Sequence, residues 1–104
     1  MRWLRATTAH EWAEVGRLLG RLDALAFGSR ATGRARRFAD LDLCILSPIS
    51  LAELGELRDA FDESDLPFVV DLCRWEELNA TFRATVTRDG VRPWAAELAT
   101  APEA

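Results

Sequence analysis

The sequence predicts an α/β or α+β domain, a small mixed sheet of three to four strands with helices packed against it. Three observations predict it. Thr8 with Glu11, and Ser50 with Glu53, have capping-box spacing and are followed by apolar residues at helical intervals. Two short apolar runs, Asp40 to Leu46 and Phe68 to Cys73, have the length of strands and carry acids inside them. Helical and strand-like segments alternate along the chain, with glycine, proline and Asp-Gly turns between them.

Each element can be justified in order. Met1 to Arg5 carries no decisive period. Trp12, Val15, Leu18, Leu19 and Leu22 recur at helical intervals, so a helix is expected from about Ala9 to Gly20, where glycine supplies the stop. Leu22 to Phe27 is a short apolar run ending at Gly28, and a strand is expected there. Residues 28–37 then read as a turn entering a short helix. From Asp40 to Leu46 the alternation is clean: Asp40, Asp42, Cys44 and Leu46 point one way, Leu41, Leu43 and Ile45 the other. Leu51, Leu54, Leu57 and Phe61 form the stripe of the next helix, ending near Glu63. Pro67 opens a strand over Phe68 to Cys73. Trp75, Leu78, Phe82 and Val86 space out a last helix that stops at Asp89-Gly90, and Val91 to Ala95 is read as a further short strand.

The chain has 104 residues, about half of them hydrophobic. That fits one domain over residues 1–104, with its core over about 9–95 and a frayed tail at 100–104, and it argues against disorder. No segment resembles a signal peptide or a membrane span, so a soluble, cytoplasmic protein is expected. Cys44 and Cys73 sit in apolar runs without metal-ligand spacing and read as two buried thiols rather than a disulfide. His10 is the only histidine, which leaves no material for a histidine-rich zinc site and little for a Ser-His-Asp or Cys-His mechanism. The net charge is −4, yet residues 28–38 hold Arg30, Arg34, Arg36 and Arg37 and no acid. One basic loop of this size suits a small polyanion better than general nucleic-acid binding.

Asp40 and Asp42 carry the chemistry first. At i and i+2 of a strand they share a face, and two carboxylates held close repel unless a cation lies between them. Magnesium takes oxygen ligands and binds through one or two carboxylates plus substrate phosphates. Alone, the pattern more often marks a solvated edge strand with two surface acids. Asp71 sits among Phe68, Val69, Val70, Leu72 and Cys73, where an unpaired acid is rare; its bland alternative is pairing with an arginine. Three carboxylates from two neighbouring strands are what a two-metal phosphoryl-type transfer needs, with Asp71 placed to take the acceptor's proton. Gly28 and Ser29, at the end of a strand and the start of a helix, let backbone N–H groups and a hydroxyl approach a phosphate, and Arg30 or Arg34 could neutralise a triphosphate. The chain holds no Walker motif and no lysine.

Gly28-Ser29, ten residues, then Asp40-Leu41-Asp42 resembles the signature of the DNA polymerase β-like nucleotidyltransferases. The string from Phe27 to Leu43 is similar to their minimal nucleotidyltransferase group, and the likeness continues through Asp59 to Leu72, Phe82-Arg83 and Asp89 to Val91. The resemblance implies a nucleotidyltransferase fold, with Gly28 and Ser29 holding the triphosphate of ATP and Asp40, Asp42 and Asp71 binding magnesium as the catalytic carboxylates. The family usually has Ser before the first aspartate, where this chain has Ala39. The resemblance also implies a partner. Many minimal members act as the antitoxin of a toxin–antitoxin pair, neutralising a HEPN-domain ribonuclease, in studied cases by moving AMP onto one of its tyrosines.

Two functions from different classes follow. One is an enzyme moving AMP from ATP to a protein hydroxyl, the acceptor expected when no extra helical domain is at hand. The other is a binding module that masks a helical toxin by contact, for which Trp3, Trp12, Trp75 and Trp94 could supply an aromatic surface, though Trp12 and Trp75 also sit on helical stripes as core. A sugar-phosphate or antibiotic nucleotidyltransferase would want an acceptor domain. The four tryptophans also raise the expectation of a homodimer or a hetero-oligomer.

Overall fold

The computed structural model describes residues 7–32 and 39–94. Its elements run α1 (Ala9–Leu19), β1 (Ala24–Phe27), a short α2 (Ser29–Thr32), β2 (Leu41–Ile45), α3 (Leu51–Asp62), β3 (Val70–Arg74), a 3₁₀ turn (Trp75–Glu77) and α4 (Ala80–Asp89).

Both capping boxes form. Thr8 Oγ1 accepts from the Glu11 N–H at 3.1 Å while Glu11 Oε1 accepts from the Thr8 N–H at 2.9 Å, and Ser50 and Glu53 repeat the exchange at 3.0 Å each way. These side chains satisfy N–H groups that the first turn leaves without helical partners. Gly20 ends α1 at φ 60°, a conformation cheap for glycine alone.

Two elements differ from expectation. The residues from Trp75 to Val86 do not lie on one helix. Asn79 is extended and its Oδ1 accepts from the Phe82 N–H at 2.8 Å, so α4 begins with its own cap after the 3₁₀ turn. Val91 forms an isolated antiparallel bridge with Ala26, exchanging two backbone hydrogen bonds of 2.9 Å, where a strand to Ala95 was expected. Ala95 and residues 100–104 lie outside the described residues.

The sheet has the order β1-β2-β3, with β1 antiparallel and β3 parallel to β2. Alternation divides its two faces. On one, Ala24, Ala26, Leu41, Leu43, Ile45, Val70 and Leu72 pack against Trp12, Val15 and Leu19 of α1 and Leu54, Leu57 and Phe61 of α3. Trp94 packs at 6.0 Å from Trp12, and it approaches α1 so closely that a Cβ on Gly16 would stand 2.9 Å from its own Cβ. The other face carries Leu25, Phe27, Asp42, Cys44, Asp71 and Cys73 by the same register. There a smaller cluster of Phe27, Cys44 and Val86, with Leu25, Leu46, Cys73, Trp75 and Leu78 against it, lies under α4 and the 3₁₀ turn. That cover is partial, and the two aspartates lie where it stops. Among the described residues no helix is long and apolar enough to cross a membrane.

Leu43 is fully buried at the centre of the main core. Leu43→Ala is expected to lower unfolding stability by roughly 2–5 kcal/mol in a urea titration, because the middle strand is held on both sides and cannot collapse into the void.

Candidate active site

Asp42 and Asp71 are register partners on adjacent parallel strands, so their carboxylates stand side by side on the open face of the sheet. Asp42 is half-buried and Asp71 exposed. Asp40, exposed, lies one residue before β2 and within electrostatic reach of Asp42. Burial, then the charge of Asp71, then that of Asp40 push the Asp42 carboxyl above the usual carboxylate range.

The turn after β1 closes on the same group. Gly28 has φ 77°, and a Cβ built on it would lie 2.5 Å from Asp42 Oδ2. Glycine is therefore required twice here, for the backbone conformation and for the space the carboxylate occupies. The Gly28 carbonyl accepts from the N–H groups of Ala31 and Thr32, each at 3.1 Å, which winds the chain into α2 directly after the turn. Ser29 is the first residue of that helical turn and is half-exposed. The structure thus brings Gly28, Ser29, Asp42 and Asp71 together, with Asp40 beside them.

Beside the carboxylate pair lies a cleft of about 310 Å³. Asp42, Asp71, Leu72 and Cys73 form one part of its lining, and Phe27, Leu78 and Phe82 form the rest. Among the described residues, no three Asp, Glu, His or Cys side chains already converge closely enough to enclose a metal ion. The donor set nevertheless fits a hard divalent cation. It offers carboxylate oxygens only, and one of them is held at a penalty of burial and like charge that a cation would relieve.

A profile of the family described as Polymerase beta, Nucleotidyltransferase matches residues 22–92. The chain belongs to this family. The matched stretch runs from just before β1 to just past α4 and contains the glycine turn and all three aspartates. The chain is also 43% identical over 65 residues to a Haemophilus influenzae protein named "Probable protein adenylyltransferase MntA". That match covers 61% of this chain and 57% of the relative, so it spans little more than half of the relative's length.

Arg30 is not where the sequence placed it. An arginine that neutralises a triphosphate would have to reach it from the surface, but Arg30 is fully buried. Its Nε donates to the Ala39 carbonyl at 2.8 Å, an Nη donates to Thr7 Oγ1, and the guanidinium stacks on the Phe68 ring at 3.9 Å. It ties the start of α2 to the residue before Asp40 and to the segment preceding α1, a structural task that removes it from any phosphate in the cleft. Arg34, the other arginine assigned to the triphosphate, lies outside the described residues, as do Arg36, Arg37 and Trp3.

The thiols also differ in part. Cys44 and Cys73 are both free and are paired by register on adjacent strands. Cys44 is buried, and burial first, then Cys73, pushes its thiol up to about 12; Cys73 is half-exposed at the cleft, and burial raises it too. Sequence reasoning missed the aromatic part of the cleft. Phe27 was read as the end of a strand and Phe82 as helix core, and only the Asn79 cap, once noticed, would have turned Phe82 toward the carboxylates.

Two outcomes follow from these environments. Arg30→Lys is expected to destabilise the protein by roughly 2 kcal/mol in denaturant melts, since an ammonium cannot both stack on Phe68 and donate sideways to Ala39; unchanged stability would remove the strut. Asp42→Asn, in buffer containing EDTA, is expected to melt ~3 °C above the wild type at pH 7. A raised folded-state pKa means that Asp42 supports the fold when protonated and loses that support as pH rises through it. The advantage of the amide should therefore vanish below the ordinary carboxylate range, and a lower melting point at pH 7 would contradict the electrostatic account.

Proposed function

We propose that the chain is a magnesium-dependent nucleotidyltransferase that moves a nucleoside monophosphate, AMP from ATP, onto a hydroxyl of a partner protein. The observation that carries this reading is the placement of Asp42 beside Asp71 and against the bare backbone of Gly28. It joins an oxygen-ligand cation site to a turn able to receive a phosphate. Membership of the nucleotidyltransferase family supports the reaction class, and the name of the Haemophilus influenzae relative supports a protein acceptor.

In this reading the chain's residues divide the work. The Gly28 turn admits the triphosphate because no side chain stands in the way, and the Ser29 hydroxyl donates to a phosphate oxygen. Asp40, Asp42 and Asp71 hold the divalent metal ions. Bound magnesium supplies Lewis-acid stabilisation of the attacking and leaving oxygens. The acceptor oxygen forms a bond to the α-phosphorus, the bond to the β-phosphate side breaks, and pyrophosphate leaves. Asp71, the exposed member of the pair, takes the proton from the acceptor hydroxyl. Ala39, in place of the family's usual Ser, contributes its carbonyl to Arg30 instead of a hydroxyl to the site.

The acceptor we infer is a HEPN-domain toxin in the cytoplasm, with this chain as its antitoxin. A second reading keeps the partner and discards the chemistry: the chain neutralises the toxin by contact, with nucleotide binding vestigial. The burial of Arg30 favours that reading, because it withdraws a cation from the triphosphate. The exposed Leu51 and Val69 offer apolar surface for such a contact, or for a second copy of the chain.

One assay separates the two. With magnesium, ATP labelled on the α-phosphate and the protein encoded by the neighbouring gene, label is expected to move to that protein. Asp42→Asn and Asp71→Asn are each expected to reduce transfer by roughly 100-fold or more. Neutralisation that persists in both variants without any label moving would replace the enzyme with the contact antitoxin.

A further inference from the structure

The part of the cleft that faces the carboxylate pair is aromatic. Phe27 and Phe82 meet edge to face, with centroids 5.7 Å apart and planes at 88°. Leu78 completes that side. Phe82 is 43% exposed, one of three large hydrophobic side chains in that state among the described residues. The other two, Leu51 and Val69, do not line the cleft, so Phe82 is the exposed ring placed at the site.

Resting on the nucleotide-binding reading above, we infer that Phe82, backed by Phe27 and Leu78, holds the base of the nucleotide by stacking, and that this chain discriminates weakly among bases. Continuity assigns this surface to the nucleotide. Phe27 pairs with Asp42 across the β1–β2 ladder and is followed directly by Gly28, so the aromatic surface begins where the phosphate turn begins. A nucleotide anchored by its phosphates at that turn, with Asp42 and Asp71 on its metal, has its nucleoside directed along the same cleft. The volume, about 310 Å³, stands at the lower end of small-molecule pockets and admits a purine ring.

Weak discrimination follows from what the lining lacks. Its charged groups among the described residues, Asp42 and Asp71, are committed to the cation, and the Cys73 thiol is only a weak donor and acceptor. The rest of the lining among the described residues is ring and aliphatic surface. Reading a base edge requires donors and acceptors held against it, whereas stacking accepts every base because each has a π face.

The test measures binding of two kinds of probe to the full chain in magnesium by calorimetry: inorganic tripolyphosphate, and non-hydrolysable analogues of ATP, GTP, CTP and UTP. Wild-type affinities for the four analogues are expected to fall within roughly tenfold of one another. Phe82→Ala is expected to weaken all four by roughly tenfold while leaving tripolyphosphate unchanged, and Phe82→Trp to restore them. Phe82→Leu keeps the apolar contact with Phe27 and serves if the alanine variant does not fold; it should show the same selective loss. Nucleotide binding untouched by these substitutions, with a raised KM for the protein acceptor instead, would overturn the proposal and give the ring to the acceptor. A preference of more than about 100-fold for one base would overturn weak discrimination. A wild-type chain that binds neither probe would bring down the nucleotide reading itself, and this one with it.

Discussion

The structure turns on a carboxylate held where it is uncomfortable. Asp42 occupies the middle strand of the sheet, half out of water, with Asp71 beside it on the next strand and the backbone of Gly28 closed against its Oδ2. Nothing in the packing needs an acid there. The same position filled by an apolar residue would extend the cluster around Cys44 and Val86, and the fold would gain by it. Local conflict of this kind is sustained elsewhere in the structure, here by a main core that closes completely on the opposite face of the same three strands.

The division between the two faces explains why so short a chain can carry a site at all. Period-two alternation gives every inward leucine of β2 an outward neighbour, so Leu41, Leu43 and Ile45 anchor the strand while Asp42 and Cys44 face the other way. The parallel pairing then sets Asp71 opposite Asp42 without any loop having to position it. Carboxylates mounted on strands hold their separation better than carboxylates on loops. The Gly28 turn gains the same rigidity from its neighbours. Gly28 follows a strand, Ala31 and Thr32 bind its carbonyl, and Arg30 fastens the beginning of α2 to Ala39 and Phe68.

Much of this was legible in the sequence because it rests on short-range chemistry. The capping boxes at Thr8 and Ser50 are contained within four residues each, and the alternation from Asp40 to Leu46 is visible in the order of its side chains. Asp71 stood out because an acid surrounded by Val70 and Leu72 demands a reason. What could not be read depends on partners distant in sequence. Arg30 looks the same whether it meets a phosphate or the carbonyl nine residues on, and only the fold shows Thr7, Ala39 and Phe68 gathered about it. The spacing from Trp75 to Val86 satisfies one helix or two. Asn79 decides between them by capping, and with that break Phe82 leaves the core and joins the cleft.

The burial of Arg30 has a consequence for how a triphosphate could bind. Among the described residues that line the cleft there are two acids and no cation. On the proposed reading, a triphosphate approaching Asp42 and Asp71 would meet like charge, which a divalent metal held between them would neutralise. On that reading, nucleotide affinity would be coupled to the divalent ion. The same ion would act on stability, because it would remove the repulsion that raises Asp42.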